Sequence, residues 1–292
     1  MPFERTLSGK RAKYHFYKHV LVWVEGPTDV VVFEPVLRDL SCRLEPAGCR
    51  DECLKLAEDV VRDNAPVVVI MDGEYRILRK TRAPHRRVIY LQRHSIENYF
   101  FEEELLESIC RSYVSQSGVD GARPEDDEAI VADQFLSALS TVNNDLYEAL
   151  ILDVANFLAN AGLQVLPDRI ESILQPEGVA VQAERLHKLC EERTKQLPED
   201  AVRKAQKLIT TYAANGRLAN VLKGHLAFGI LRRIVFACIK ERIGKKPQMD
   251  DGALRALIAG QLWDILRHAQ HHSRLKAKLR KAVRDAASLK AT

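Results

Sequence analysis

Hydrophobic residues form short continuous runs in the first hundred positions and recur at helical spacing after that. The runs at 19–24 (HVLVWV), 66–71 (PVVVIM) and 88–91 (VIYL) predict strands that are covered on both faces, as in a parallel sheet. A shorter strand is predicted at 42–45. The pattern therefore favours a sheet in this part of the chain.

Amphipathic spacing between these runs predicts helices that link the strands. The first helix begins at Thr28 or Asp29 as its N-cap and extends to about residue 40, and the second covers 50–62. The inward face of the first helix is expected to consist of Val32, Phe33, Val36, Leu37 and Leu40. Alternating strands and helices imply a parallel sheet flanked by helices, which binds ligands beyond the carboxyl ends of its strands.

Helical spacing then continues to the end of the chain. The predicted helices are 102–113, 126–140, 144–161, 180–196, 199–213, 217–243, 251–268 and 271–288. The sequence thus predicts an α/β fold, with a parallel sheet flanked by helices, followed by an all-α C-terminal region. The boundary is placed near residue 100.

Composition excludes disorder and gives no sign of a membrane protein. Of 292 residues, 46% are hydrophobic and 29% are charged, as in ordinary globular proteins. No apolar run approaches the roughly 18 residues of a membrane span, and the stretch MPFERTLSGKRAKYHF has no signal-peptide core. The six cysteines form no CxxC pair and are expected to be reduced. We therefore expect a cytoplasmic protein without a membrane partner.

Acidic residues follow the predicted strands. Glu25 and Asp29 lie in VEGPTD after the first run, Asp72 and Glu74 in MDGE after the third, and Glu97 in HSIENYF after the fourth. Because parallel strands end at one edge of a sheet, these five carboxylates are expected to converge. Several carboxylates in one place repel one another unless a hard cation such as Mg²⁺ is bound among them.

Each acid also has an ordinary structural interpretation. Asp29 could be a helix cap, and Glu97 the start of a capped helix. Asp72 and Glu74 could belong to a solvated turn in which Gly73 provides the sharp bend.

The sequence VEGPTD after an apolar strand, followed by VVVIMDGE, resembles the TOPRIM domain of topoisomerases, primases and OLD-type nucleases. The family has a glutamate after its first strand, matched by Glu25, and an acid-x-acid pair after a later strand. Asp72 and Glu74 match that pair, although aspartate is more usual at the second position. Asp29 and the HSIENYF segment are closer to the OLD-like branch, particularly to small TOPRIM proteins with a helical C-terminal half. These include the toxin subunit of the PARIS anti-phage defence system.

This resemblance implies a metal-dependent nuclease. Residues 1–100 would form the TOPRIM metal-binding catalytic domain, and 101–292 a helical domain for dimerisation or for partner or substrate binding. One or two Mg²⁺ or Mn²⁺ ions would bind catalytic carboxylates from Glu25, Asp29, Asp72, Glu74 and Glu97. The implied substrate is nucleic acid, with tRNA favoured and DNA possible. The implied partners are an ABC-type ATPase encoded nearby, since this chain has no GxxxxGK[ST] motif, and a second copy in an active homodimer.

Positive charge is concentrated in two segments. The stretch 75–93 contains seven cations and no acid, and it follows the acidic MDGE directly, so it is expected to bring phosphates to the metal. The predicted substrate-binding residues are Arg76, Arg79, Lys80, Arg82, Arg86, Arg87, Arg93, Ser95, Lys223 and His225. An exposed loop, a structural serine and an ordinary helix start remain alternatives for these residues. The C-terminal basic helix could bind nucleic acid or a partner, or simply be solvated.

Two other functions are compatible with the same residues. The domain could bind nucleic acid or an ATPase without catalysis, with the acids holding a structural ion. It could also be a nickase or nuclease that acts on DNA.

Overall fold

A computed structural model describes the backbone of residues 6–81, 83–116, 124–167, 172–175 and 178–291. Over these residues the chain has an α/β fold, with one parallel sheet of four strands among the helices. The predicted fold class is confirmed at this level, including the helical C-terminal region. The TOPRIM identity of the sheet stays a prediction.

The strands lie at the predicted places. They are β1 (Val20–Val24), β2 (Cys42–Pro46), β3 (Val67–Met71) and β4 (Val88–Tyr90), in the order β2-β1-β3-β4. All neighbours are parallel, with Trp23 opposite Val69 and Val69 opposite Val88. Every residue of β1 and β3 is buried, which is why both strands consist of continuous apolar residues rather than alternating ones.

The helices are mostly where the spacing places them. They are α1 (Leu7–Phe16), α2 (Pro27–Leu37), α3 (Arg50–Arg62), α4 (Glu103–Gln116), α5 (Pro124–Ser140), α6 (Tyr147–Ala159), α7 (Ala183–Thr194), α8 (Glu199–Ala214), α9 (Gly224–Ile243), α10 (Asp251–Ile265) and α11 (Gln270–Lys290).

Helix ends are shifted by a few residues, so that α2 ends at Leu37 and does not include Leu40, and three further details differ from the predictions. The N-terminal helix α1 was not predicted, because its sequence is mixed and charged. The N-cap of α2 is Gly26 instead of Thr28 or Asp29, since Pro27 is well suited to the first helical position. The predicted helix 217–243 is interrupted: a 3₁₀ turn (Leu218–Val221) precedes α9, with Lys223 in a non-helical conformation as its N-cap.

The chain divides into two compact units that are discontinuous in sequence. The first comprises the described residues of Met1–Gly73, Lys80–Gln92 and Gly252–Thr292, and the second those of Glu74–Arg79 and Arg93–Asp251. The division into domains 1–100 and 101–292 stays a prediction.

The first unit contains the sheet and its covering helices. Leu21, Trp23 and Val69 pack in one hydrophobic cluster with Leu56 and Val60 of α3. The C-terminal helix α11 packs against β1, β3 and α2. The last helix of the chain is therefore part of the sheet's own unit.

The second unit consists of helices and 3₁₀ turns. Its longest helix, α9, is buried along most of its length and packs against α4 and α5. The HSIENYF segment forms the 3₁₀ turn Ile96–Phe100, which packs on α9.

Candidate metal centre

Two of the predicted acids meet at the carboxyl edge of the sheet. Glu25 follows β1 and Asp72 follows the neighbouring β3, and the backbone N–H of Asp72 donates to Glu25 Oε1 at 3.0 Å. Both side chains are half-buried. Because the two strands are parallel and adjacent, their ends place the backbone of Asp72 beside the carboxylate of Glu25, while the convergence of all five acids stays a prediction.

Asp29 lies close to this pair and also caps a helix. Its Oδ2 accepts a hydrogen bond from the backbone N–H of Gly26 at 2.8 Å, which closes the first turn of α2. Burial, with the charges of Glu25 and Asp29, raises the pKa of the Cys53 thiol, so both carboxylates lie within electrostatic reach of that sulfur. Asp29 is therefore not the N-cap, which is Gly26, but its side chain accepts the N-cap N–H from the third helical position, and this is compatible with a place beside Glu25.

We call Glu25, Asp29 and Asp72 the carboxylate edge. Carboxylate oxygens are the donors that Mg²⁺ prefers, so the chemistry of this set fits a hard divalent cation. Their ligand oxygens do not all lie within 4.8 Å of one another in the described structure. Mg²⁺ usually keeps several waters and takes only one or two carboxylates directly, so an open arrangement of this kind suits it.

Glu74 belongs to the second unit, although only Gly73 separates it from Asp72 in sequence. It begins the 3₁₀ turn Glu74–Ile77 and has a φ angle of 44°, in the left-handed region. The unusual backbone conformation was expected at Gly73, but Glu74 adopts it. Its N–H donates to the carbonyl oxygen of His94 at 2.7 Å, which fixes the turn.

The serine of HSIENYF is part of a capping arrangement. Ser95 is 2% exposed, and both its N–H and its hydroxyl donate to Asn98 Oδ1, at 2.7 and 2.8 Å. The amide of Asn98 in turn donates to the carbonyl oxygens of Ala219 and Leu222. This segment therefore fixes the chain just before α9, and the structural interpretation of Ser95 accounts for all of these contacts.

Glu97 lies against the N-terminus of α9. A Cβ atom added to Gly224 would lie less than 3.0 Å from Glu97 Oε2 and from Ser95 Oγ, so a side chain at this position has no space. A carboxylate at a helix N-terminus is stabilised by the partial positive charge there. Gly224 was not singled out from sequence, because a glycine at a helix start gives no sign of what packs on it.

Lys223, the N-cap of α9, is held by an acid that sequence analysis missed. Its Nζ lies 2.9 Å from Asp153 Oδ1, and Asp153 is 1% exposed. The hydroxyl of Tyr75 donates to the other oxygen of the same carboxylate. Burial and the nearby charge of Asp153 raise the pKa of Tyr75 well above its usual value, so the phenol stays a donor. A single aspartate in the apolar sequence ALILDVANFLA was the available signal.

Ring and cation–π contacts surround the 3₁₀ turn that begins at Glu74. The ring of Tyr75 contacts the rings of His94 and Phe157 edge-on, at centroid distances of 4.9 and 5.6 Å. The guanidinium of Arg79 lies over Phe157 at 5.2 Å from the ring centroid. His225 is exposed, with Nε2 3.3 Å from the carbonyl oxygen of Pro167.

The predicted arginine stretch does not act as one surface. Arg87 is fully buried and donates to the carbonyl of Ala65 and to Asn64, so its predicted phosphate contact is corrected to a structural role. Arg93 lies over the ring of Tyr99 at 4.8 Å and pairs with Glu102 at 2.5 Å.

The other members of the stretch are at least partly accessible. Arg79, Lys80 and Arg86 are exposed, and Arg76 is half-buried. Arg82 lies outside the described residues.

No protein-family model and no curated protein matches the chain. None of the helices in the described part of the chain is long and apolar enough to cross a membrane.

Proposed function

We propose that the protein is a Mg²⁺-dependent nuclease and that the carboxylate edge binds its metal. The observation that carries this proposal is the hydrogen bond from the Asp72 N–H to Glu25, which joins acids from the ends of two adjacent parallel strands. Ligands of parallel α/β sheets bind at this edge. The resemblance of VEGPTD and VVVIMDGE to TOPRIM nucleases supports the choice of phosphodiester cleavage.

The residues of the edge have distinct tasks in this proposal. Glu25 and Asp72 would hold the ion, and the Asp72 N–H keeps one oxygen of Glu25 in a fixed orientation. Asp29 would orient water beside the ion while its side chain accepts the N-cap N–H of α2. When bound, Mg²⁺ would neutralise charge on the scissile phosphate and lower the pKa of a bound water.

Glu74, Glu97 and Lys223 are proposed as additional site residues on the strength of the resemblance and of their local order. Glu74 adopts a φ angle that costs a non-glycine residue about 1–2 kcal/mol, and such strain is concentrated at functional sites. A phosphate contact of Lys223 is proposed on the resemblance alone; within its own unit, Lys223 pairs with Asp153.

The substrate, partners and location rest on the resemblance. We propose RNA as the substrate, tRNA in particular, with DNA as the alternative. We also propose an anti-phage toxin that acts in the cytoplasm as a homodimer and is controlled by an ABC-type ATPase. The basic segments are consistent with a polyanionic substrate.

Substitution of Glu25 by glutamine tests the metal site most sharply. Glutamine keeps an oxygen that accepts the Asp72 N–H but removes the charge that binds Mg²⁺, so folding is retained while metal binding is lost. Glu58→Gln on α3 is the matched control, because Glu58 is exposed and remote from the edge in sequence. Cleavage of total tRNA and of plasmid is measured with Mg²⁺ and with a chelator, and Mn²⁺ binding is followed by thermal shift.

We expect wild type and Glu58→Gln to cleave tRNA and to be stabilised by Mn²⁺, and Glu25→Gln to do neither. Plasmid cleavage alone would replace tRNA by DNA as the substrate. Unchanged cleavage by Glu25→Gln would reject the catalytic role of the edge, and a binding module would then be the better description.

A further inference from the structure

Helix α11 turns some of its cations inward, where they attach it to the sheet. Arg280 forms two hydrogen bonds with the carboxylate of Asp39, at 2.5 and 2.6 Å, and a third with the carbonyl of Val36. Lys290 donates to the carbonyl oxygens of Tyr17 and His19. These two residues anchor the helix and account for part of its basic composition.

Four of the five remaining cations are exposed and lie in a row. Between Arg274 and Lys290 the helix has seven basic residues and one acid. Exposed cations lie at Arg274, Lys278, Lys281 and Arg284. With a rise of 1.5 Å per residue, the row is about 15 Å long and covers about a third of the helix circumference. The side chains of these four residues make no hydrogen bond or ion pair with any other residue that the structure describes.

The single acid of the helix is neutralised by the other basic segment. The guanidinium of Arg86 lies 3.2 Å from Asp285, and Arg86 is the more exposed partner, at 65% against 22% for the acid. The neighbouring Arg87 is buried and fixes this segment through its hydrogen bonds to Asn64 and Ala65. The structure thus brings together two basic concentrations that are nearly 200 residues apart in sequence.

The anchors place the C-terminal half of α11 on the sheet. Asp39 precedes β2, Arg86 precedes β4, and Tyr17 precedes β1, so the partners of Arg280, Asp285 and Lys290 all lie at the amino edge of the sheet. Helix α11 also packs against β1 and β3. The cations at Lys281 and Arg284 lie between these anchors in sequence, so this part of the row is next to the amino edge of the sheet.

We propose that Arg86, Arg274, Lys278, Lys281 and Arg284 form a track that binds the phosphate backbone of the RNA substrate. The inference deepens the proposed nuclease function and rests on it. The four cations of α11 are spaced about 4.5–6 Å apart along the helix axis, which suits successive phosphates, whereas a helix that inserts into a membrane surface uses an apolar face. The apolar face of α11 is not available for that purpose, because Leu275, Leu279 and Val283 are at most 5% exposed.

The test is a double charge reversal with a matched control. Arg274→Glu with Lys278→Glu changes the track, and Arg203→Glu with Lys207→Glu on α8 changes the same residue types at the same spacing on another exposed helix face. Arg274→Gln with Lys278→Gln is made as a charge-neutral version, in case the reversed variant folds poorly. Binding of a fluorescein-labelled single-stranded RNA is measured by anisotropy without Mg²⁺, over a range of salt concentrations.

We expect the track variants to bind RNA at least about 10-fold more weakly near 0.1 M salt, and the slope of log K against log salt to fall by about 1.4 for two lost phosphate contacts. The α8 variant should differ from wild type by less than about 2-fold. The track would be overturned if RNA binding is unchanged in the track variants, or if it weakens equally in the track and α8 variants. Binding to anionic phosphatidylserine vesicles is measured in parallel, and a loss of vesicle binding without a loss of RNA binding would also overturn the track. Absence of RNA binding by the wild type would also do so.

Failure of the track and failure of the nuclease proposal are distinguishable. If the wild type binds RNA through the track but does not cleave it with Mg²⁺, the nuclease proposal fails and the binding surface stands. If cleavage depends on Glu25 but RNA binding is unchanged in the track variants, only the inference about α11 is rejected.

Discussion

The hydroxyl group of Tyr75 donates a hydrogen bond to the carboxylate of Asp153 inside the helical unit, and both residues are almost fully buried. The same carboxylate lies 2.9 Å from the ammonium group of Lys223. A buried carboxylate is costly unless donors surround it, so the three residues depend on one another. Through this cluster, the turn that begins at Glu74 is attached to α6 and to the start of α9.

Substitution of Tyr75 by phenylalanine should therefore destabilise the protein by about 1–3 kcal/mol, because Asp153 loses a donor that water cannot replace. Tyr147→Phe is the matched control, since the Tyr147 hydroxyl bonds to exposed Thr210 at 2.9 Å. That variant should change stability by less than about 0.5 kcal/mol. Urea unfolding followed by circular dichroism measures both values, and equal effects would contradict the buried cluster.

The close approach of Gly224 to Glu97 and Ser95 gives a second prediction. Gly224→Ala should cost about 1–3 kcal/mol, because the added Cβ has no space and the neighbouring turn must move. The control is Gly260→Ala on the exposed side of α10, where nothing lies within 4 Å of the added atom.

Gly260→Ala should instead stabilise the protein by about 0.5–1 kcal/mol, since alanine is the better helix former. Opposite signs for the two glycines in the same unfolding experiment are the expected result. A stabilised Gly224→Ala variant would mean that α9 does not pack on Glu97 as described.

The sheet was predictable because its evidence is local. A strand buried on both faces must consist of consecutive apolar residues, so β1 and β3 can be read directly from the sequence. The meeting of Glu25 and Asp72 followed from one general rule about where parallel strands end. Nothing beyond the order of elements was needed for that part of the site.

The fate of single charged residues was not predictable, because it depends on which residues surround them in three dimensions. Arg86 and Arg87 are neighbours in sequence, yet one is exposed and the other fully buried. Asp153 becomes informative only when Tyr75 and Lys223 are seen to converge on it. For the same reason, the sequence did not place the basic C-terminal helix on the sheet.

The contrast between these two arginines leads to a third prediction. Arg87→Met should destabilise the protein by about 1.5–3 kcal/mol, because the charged hydrogen bonds to Ala65 and Asn64 are lost. Burial lowers the pKa of Arg87, which shows that its charge is costly there and is retained by those acceptors.

Arg86→Met should leave the free energy of unfolding unchanged within about 1 kcal/mol, since an exposed ion pair contributes little. It should weaken RNA binding if the proposed track is correct. Measuring stability and RNA binding of both variants thus shows which arginine stabilises the fold and which binds RNA. A large loss of stability in Arg86→Met would contradict the assignment of Arg86 to RNA binding.

The thiols provide a fourth prediction, which depends on pH. All six cysteines are free, and only Cys49 is exposed. Burial raises the pKa of Cys42 and of Cys190 to about 11. At pH 8 roughly one part in a thousand of such a thiol is thiolate, which is the reactive form. Brief treatment of the native protein with iodoacetamide at pH 8 should therefore add one group, at Cys49, as measured by intact mass spectrometry.

Cys49→Ser should abolish this labelling, and unfolding in guanidinium chloride should restore reaction at every remaining cysteine. A raised pKa means that thiolate appears only as the pH increases, so half-buried Cys42 should begin to react as the pH approaches 11. Rapid labelling of Cys53 at pH 8 would contradict the packing of α3 against β1 and β3, because that thiol lies in their common core. If the native Cys49→Ser variant is labelled at pH 8, peptide mapping would identify which buried thiol has become accessible.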